Sequence, residues 1–175
     1  RTSAQSHAIV DSVRGRKGLQ SNVTDAEYTL NSGKDFGTFD SDGFTVLTPE
    51  QLNSFNYNTG SIVAWNWKAG TSFTNDASAT GIGSIDSTGS VNDTAGFSIV
   101  SYTGTGSAGT IKHGLSSVPK VIICKCRGAE EAWPVYHVAN TSAPETDHLY
   151  LNTSDPTGDS ASPVSYTHLT LPTTP

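Results

Sequence analysis

The side chains that could do chemistry here fall into three groups: paired carboxylates, two thiols with five imidazoles, and a set of tryptophan and tyrosine rings. Acid/base cleavage of a glycan needs two carboxylates facing one another across a cleft. The candidates for such a pair are Asp40, Asp42, Glu130 and Glu131. Glu130 and Glu131 are neighbours in an expected hairpin loop and so point apart. Asp40 and Asp42 in "FDSDGF" match part of a calcium loop, whose fuller pattern needs several more oxygen ligands and a distant Glu. An Asp-Gly turn that starts the strand "FTV" is the simpler account. Cys124 and Cys126 lie two apart in an apparent strand, where a bridge between them is geometrically poor, so a disulfide framework is excluded. Two thiols without a second ligand pair are a weak zinc signal; they are expected to be reduced and to fill strand positions. His7, His113, His137, His148 and His168 are scattered, and neither a His-Glu-x-x-His nor a Gly-x-Ser-x-Gly motif occurs. His113 in "KHGLSSVP" sits where a strand runs into a turn, a structural position. The expectation is therefore a protein that is not an enzyme, with no catalytic residue, no metal site and no cofactor.

The aromatic group points to binding. In "SIVAWNWKAG" the residues Val63, Trp65 and Trp67 share one face of a strand and Ile62, Ala64, Asn66 and Lys68 share the other. The first face is wholly apolar and the second fades to polar, the pattern of a half-buried strand, which predicts core packing for at least Trp65. Aromatic rings also stack on pyranose faces, and ligand sites favour loops. The candidate ligand-binding residues are Trp67, Trp133 next to the loop "RGAEEAWPVYH", and Tyr136 in the same stretch.

The elements that must position these residues read as short strands separated by Gly, Asn, Asp, Ser and Pro. They are residues 7–12, 17–21, 42–47, 61–69, 96–104, 109–113, 120–127, 133–138 and 148–152. The stretch "TDAEYTLNS" (24–32), after a potential Thr24 cap, is the one place where a turn or two of helix is expected. At 175 residues, 34% hydrophobic, the chain is large enough to bury a core. A formal net charge of −6 with only 15% charged residues lacks the basic footprint of a nucleic-acid binder. No apolar run approaches the roughly 20 residues needed to span a bilayer, so membrane insertion is not expected.

Residues 70–95 are poor in apolar side chains and read as a linker. An internal alignment supports a boundary there. With Arg1 set against Arg127, His7 meets Trp133, Ile9 meets Val135, Val10 meets Tyr136 and Asp11 meets His137. After a slip of four residues, Leu19 meets Leu149 and "NVTD" (22–25) meets "NTSD" (152–155), giving a period of 126 to 130 residues. The expected fold class is all-β, with antiparallel β-sandwich-like units truncated at both ends and joined by a Gly/Ser/Thr-rich linker. Residues 1–70 are then the C-terminal part of one repeat unit, 71–95 the linker, 96–163 the N-terminal part of the next unit, and 164–175 a non-native tail.

The ordered motifs "DSVRG…KGLQSN…DAE" (11–27), "FDSDGFTV" (39–46), "IVAWNWKAG" (62–70), "AGFSIVSYTGTGSAGTIKHGLSSVPKVII" (95–123) and "WPVYH" (133–137) resemble a tandem-repeat domain of unknown function found in large structural and tail-fibre-like proteins of marine bacteriophages. The resemblance covers residues 1–155 and supplies no catalytic residues. It implies a virion-associated, extracellular, non-catalytic structural or adhesion module. The partners implied are other virion subunits, including copies of itself in a homo-oligomer, and a host-surface polysaccharide; nucleic acid is not among them. The alternative is a secreted or phage-borne domain that binds or degrades carbohydrate. Cys124 and Cys126 depart from the aliphatic or basic residues more usual in the family.

The last stretch, "VSYTHLTLPTTP" (164–175), resembles translated sequencing adapter and is set aside from fold reasoning. With a start at Arg1 inside a polar segment, the chain reads as a fragment. Four Asn-x-Ser/Thr triplets, at Asn22, Asn92, Asn140 and Asn152, are expected by chance in so Ser- and Thr-rich a chain.

Overall fold

The fold is that of a computed structural model, which describes residues 5–50 and 53–159. In chain order, β1 (Ala8–Ile9), β2 (Lys17–Gln20) and β3 (Tyr28–Thr29) form a three-stranded meander, and β4 (Phe36–Phe39) and β5 (Phe44–Val46) form a hairpin. After the single turn α1 (Asn53–Asn56) comes a second three-stranded sheet, β6 (Thr71–Asn75), β7 (Ser87–Asn92) and β8 (Phe97–Tyr102), with the short helix α2 (Ala77–Thr80) between β6 and β7. The chain ends in a four-stranded sheet of order β12-β11-β10-β9, made by β9 (Val121–Ile123), β10 (Pro134–His137), β11 (Asp147–Tyr150) and β12 (Gly158–Asp159). Every pairing between these strands is antiparallel, and no barrel closes among the described residues. The all-β expectation holds.

An apolar cluster gathers Leu30 and Phe36 with Ala8, Val10, Tyr28, Phe44 and Phe55. The Phe36 ring lies 4.7 Å from Phe39 and 5.5 Å from Phe55, tilted against both, the arrangement that ring quadrupoles favour. The polar loop around this core is tied down from inside. The Arg16 guanidinium donates to the carbonyl oxygens of Asn31 (2.6 Å), Lys34, Phe36 (2.9 Å) and Gly37. The fully buried Asp35 accepts from the Glu50 N–H at 2.7 Å. Burial of Tyr28 in this cluster pushes its phenol up to about 12.

The first and last meanders have the same register. Ala8 faces Gln20 and Ile9 faces Leu19 in β1 and β2, as Pro134 faces Tyr150 and Val135 faces Leu149 in β10 and β11. Lys17 faces Thr29 and Gly18 faces Tyr28, as Asp147 faces Asp159 and His148 faces Gly158. The positions correspond at offsets of 126 along β1 and 130 along β2 and β3, those of the internal alignment. The flanking bonds correspond as well. The His7 N–H donates to Asn22 Oδ1 and the Ser21 N–H to the His7 carbonyl; the Trp133 N–H donates to Asn152 Oδ1 and the Leu151 N–H to the Trp133 carbonyl. Even the Gly–aromatic opposition is kept, with the sides exchanged: Tyr28 covers Gly18, and His148 covers Gly158.

Four expectations about the elements need correction. Residues 71–95 are no linker: they form β6, α2 and β7, and β8 completes their sheet. Poverty in apolar side chains did not matter, because backbone groups pair whatever the side chain. Small residues are in fact required there, since a Cβ on Gly89 would lie 2.7 Å from the Phe73 ring that covers it. Residues 61–69 form no strand. A strand needs a neighbour to take its N–H and C=O groups, and the edge beyond β7 that it could have joined is taken by β6, starting at Thr71. Residues 24–32 hold β3 rather than helical turns, because Tyr28 pairs with Gly18. In the 109–113 segment the pairing reduces to one isolated parallel bridge, Ile85 to Ile111. The tail at 164–175 lies outside the described residues.

Candidate functional site

The most exposed apolar surface is the arm of residues 62–67, and its anchors explain its position. Gly70 holds a φ of +90°, and a Cβ there would meet the Val91 carbonyl oxygen at 2.5 Å, so the chain turns sharply into β6 only with glycine at this point. Just before it, Ala69 is buried and the Lys68 carbonyl accepts from Asn92 Nδ2 at 3.0 Å. Asn92 closes β7 and faces Phe97, the first residue of β8. Trp67 stacks on Phe97, with ring centroids 5.8 Å apart and planes 14° from parallel. The stack leaves the Trp67 outer face free: its side is 65% exposed, and Trp65, with no ring partner in the described residues, is 75% exposed.

Trp65 is therefore not in the core, a correction of the core-packing expectation. The alternation of Val63, Trp65 and Trp67 was real, but alternation places a face in a core only when a second layer covers it. Here Val63 and Ile62 are exposed too. The result is an aromatic and aliphatic surface with Asn66 and Lys68 exposed beside it. Such a surface suits the apolar faces of sugar rings, with polar groups at hand for hydroxyls.

Trp133, by contrast, is 4% exposed, and its indole N–H donates to the Val23 carbonyl at 3.0 Å. Its ring joins the two meanders. Around it, Lys125 Nζ donates to the carbonyls of Thr24, Ala129 and Glu131, the Glu27 N–H donates to the Arg127 carbonyl, and Arg127 reaches the Glu27 carboxylate at 3.6 Å. Glu27 also holds Arg14, which in turn holds Asp11 at 2.5 Å. Tyr136 is half-buried in β10, facing Ile122. The fold thus does not bring Trp67, Trp133 and Tyr136 together into one site among the described contacts. Phe97, the ring beneath Trp67, was hidden in sequence because its distance of thirty positions is bridged only by the β6–β7–β8 sheet.

The other chemical candidates are committed to structure. The Asp40 carboxylate accepts from the hydroxyls of Thr38 and Thr45, which holds it below the usual carboxylate range, and the Asp40 N–H donates to the Gly43 carbonyl in the turn between β4 and β5. Lys125 secures the loop that carries Glu130 and Glu131. His113 is buried, which lowers its pKa; its Nδ1 accepts from the Leu115 N–H and its carbonyl from Ser98 Oγ. Burial pushes the Cys124 thiol up, away from the thiolate that nucleophilic or metal chemistry needs. A shallow cleft of about 280 Å³ beside α2 is lined by Asp76 and Asp86, whose carboxylates accept from the backbone N–H groups of Ala79 and Ala77. Among the described residues no three metal-ligating side chains cluster, and no helix is long and apolar enough to cross a membrane.

Comparison with protein families matches residues 1–174 to a domain of unknown function, DUF7483. Comparison with curated proteins and with solved structures finds no match.

Proposed function

The chain belongs to the DUF7483 family of domains of unknown function, and from that premise we propose that it is a non-catalytic structural and adhesion module of a phage tail fibre or other virion protein, whose exposed tryptophan arm contacts a host-surface glycan. The observation that carries the adhesion reading is the exposure of Trp65 and Trp67, with Trp67 held flat on Phe97. A ring stacked on one face and open on the other is preorganised as a platform, so little side-chain entropy is lost when a sugar binds. The shared register of the two meanders supports a tandem-repeat architecture in which β1, β2 and β3 are equivalent to β10, β11 and β12 of a successive copy. The virion setting rests on the resemblance of the motif string, and the partners are then other virion subunits and envelope polysaccharide.

Two measurements test this. The uninterrupted reading frame, recovered without transposon adapters, is expected to hold further copies at the same period beside capsid or tail genes. A frame that ends at Pro175 with no further copy overturns the tandem virion reading. Polysaccharides from candidate hosts are expected to retain the chain, and W65A/W67A to lose that retention by about tenfold or more, in line with the loss of aromatic contacts at a binding hot spot. Release of reducing ends from the same polysaccharides would overturn the non-catalytic assignment.

A further inference from the structure

We infer that the Trp67 platform is one end of a groove running across the open face of the β6, β7 and β8 sheet, and that its ligand is an uncharged polysaccharide held over consecutive sugar rings. The inference rests on the adhesion reading above and deepens it by naming the path and the class of the glycan.

One face of this sheet is closed. Phe73, Gly89 and Val100 share it, because residues directly opposite in an antiparallel pair lie on one face. Residues 110–114 lie against that face. Ser87 Oγ donates to the Lys112 carbonyl and Ser98 Oγ to the His113 carbonyl at 2.6 Å, and a Cβ on Gly114 would lie 3.3 Å from the Phe73 ring.

The other face carries three cross-strand rows. Asn92 and Phe97 make the first, Ser72, Ser90 and Ile99 the second, and Thr74, Thr88 and Ser101 the third. Trp67 lies on the Phe97 ring, so the platform closes one end of this face. Ser72, Thr74 and Thr88 are exposed along it. The third row is the floor of the cleft of about 280 Å³ described above, with Asp76, Asp86 and Tyr102 around it. A second hollow of about 430 Å³ adjoins that cleft and shares Asp86 and Thr103 with it. Phe97 and Ser101 are four residues apart on β8, a distance of roughly 13 Å at about 3.3 Å per residue. That length exceeds one sugar ring and suits a chain of them.

The chemistry along the path changes as a glycan requires. Trp67 offers an apolar face to a pyranose ring. The hydroxyls of the third row both donate and accept, so they match sugar hydroxyls in either sense. At the far end one oxygen of each carboxylate is fixed by the backbone, Asp76 by the Ala79 N–H at 3.0 Å and Asp86 by the Ala77 N–H at 2.8 Å. Carboxylates oriented in this way accept strongly from hydroxyl donors. The same two charges repel uronate and sulfate groups, which selects an uncharged chain.

The test uses the full chain in affinity electrophoresis, with dextran, mannan and galactan as neutral probes and alginate and polygalacturonate as acidic ones. Oligosaccharides of the retained polymer then serve as ligands in calorimetry. Retention by a neutral polymer is expected, with affinity rising as the oligosaccharide lengthens. T74V/T88V, which keeps side-chain shape and strand preference, should weaken binding about tenfold by removing two hydroxyls. Ser101→Ala probes the same row independently, and urea midpoints establish that each variant is folded. Affinity that does not depend on length, or folded third-row variants that bind as well as the parent while Trp67→Ala loses retention, sinks the groove and leaves the platform. Tighter retention by the acidic polymers overturns the assignment to an uncharged chain. Retention by none of the polymers sinks the adhesion reading together with the groove.

Discussion

At the residue scale the three tryptophans divide between surface and interior, which makes them separable in solution. Acrylamide is expected to quench Trp65 and Trp67 readily and Trp133 poorly, and W65F/W67F to leave one blue-shifted, protected emission. A single uniformly quenched emission in that double variant would contradict the burial of Trp133. The energetic consequence runs the same way. Trp133→Ala removes a buried ring and leaves the Val23 carbonyl without its indole donor, so a loss of about 3–5 kcal/mol is expected by urea titration. Trp65→Ala should change stability by less than about 0.5 kcal/mol, because nothing packs on it. Tyr28 carries a second prediction. Its phenol is raised by burial from 10.0 to about 12, so the neutral form is favoured in the folded state. Its contribution to stability is full below pH 10 and is lost as pH rises through 12. Absorbance at tyrosinate wavelengths should show one late step that Tyr28→Phe removes.

Among the elements, the sheet of β6, β7 and β8 is the least expected and the most exacting. β6 and β7 are built mostly of Ser, Thr, Gly and Asn, β8 carries Phe97, Ile99, Val100 and Tyr102, and the Phe73 ring covers Gly89. Gly89→Val should therefore cost about 1–3 kcal/mol through overpacking, although Val is the better strand former. An unchanged urea midpoint would show that Phe73 and the Ile99 carbonyl, 2.4 Å from a Cβ at this position, both give way without cost. α2 illustrates how a low-complexity stretch still carries precise signals. Asp76 accepts from the Ala79 N–H as its N-cap, and Gly81 ends the helix in the left-handed region. Hydrogen bonds from Ser78 and Ala79 hold the Asp76 carboxyl below its usual range. The cap's support is full above the ordinary carboxylate pKa and is lost as pH falls through the lowered pKa of the folded state.

Across the whole molecule, the two meanders are joined by Glu27, Lys125, Arg127 and Trp133. Glu27 is the hinge of this joint, since it neutralises the nearly buried Arg14 and also reaches Arg127. Glu27→Ala leaves Arg14 with Asp11 alone, and a loss of about 3 kcal/mol is expected, as for a buried pair stripped of one partner. Arg127→Ala should cost far less, because that side chain is largely solvated. A double-mutant cycle on Arg14 and Glu27 measures the coupling directly. In the last meander the positions equivalent to Arg14 and Glu27 are Asn140 and Thr157, which bond each other as neutral groups at 3.1 Å. The contact has been kept while its charge has changed.

The all-β class, the positions of β1, β2, β5, β8, β9, β10 and β11, the turn at Asp40–Gly43 and the paired offsets of 126 and 130 could all be read from residue order. Each is a local property: alternation, turn chemistry, or likeness between segments. The fate of the aromatic rings could not be read this way. Trp67 lies on Phe97, Trp65 is exposed and Trp133 is buried with its indole bonded to the Val23 carbonyl, because burial depends on which layer covers a face, and that layer comes from residues tens to more than a hundred positions away. The sheet at 71–102 was hidden for the same reason: backbone pairing needs no apolar side chain, so composition carries little trace of it until the partner strands meet.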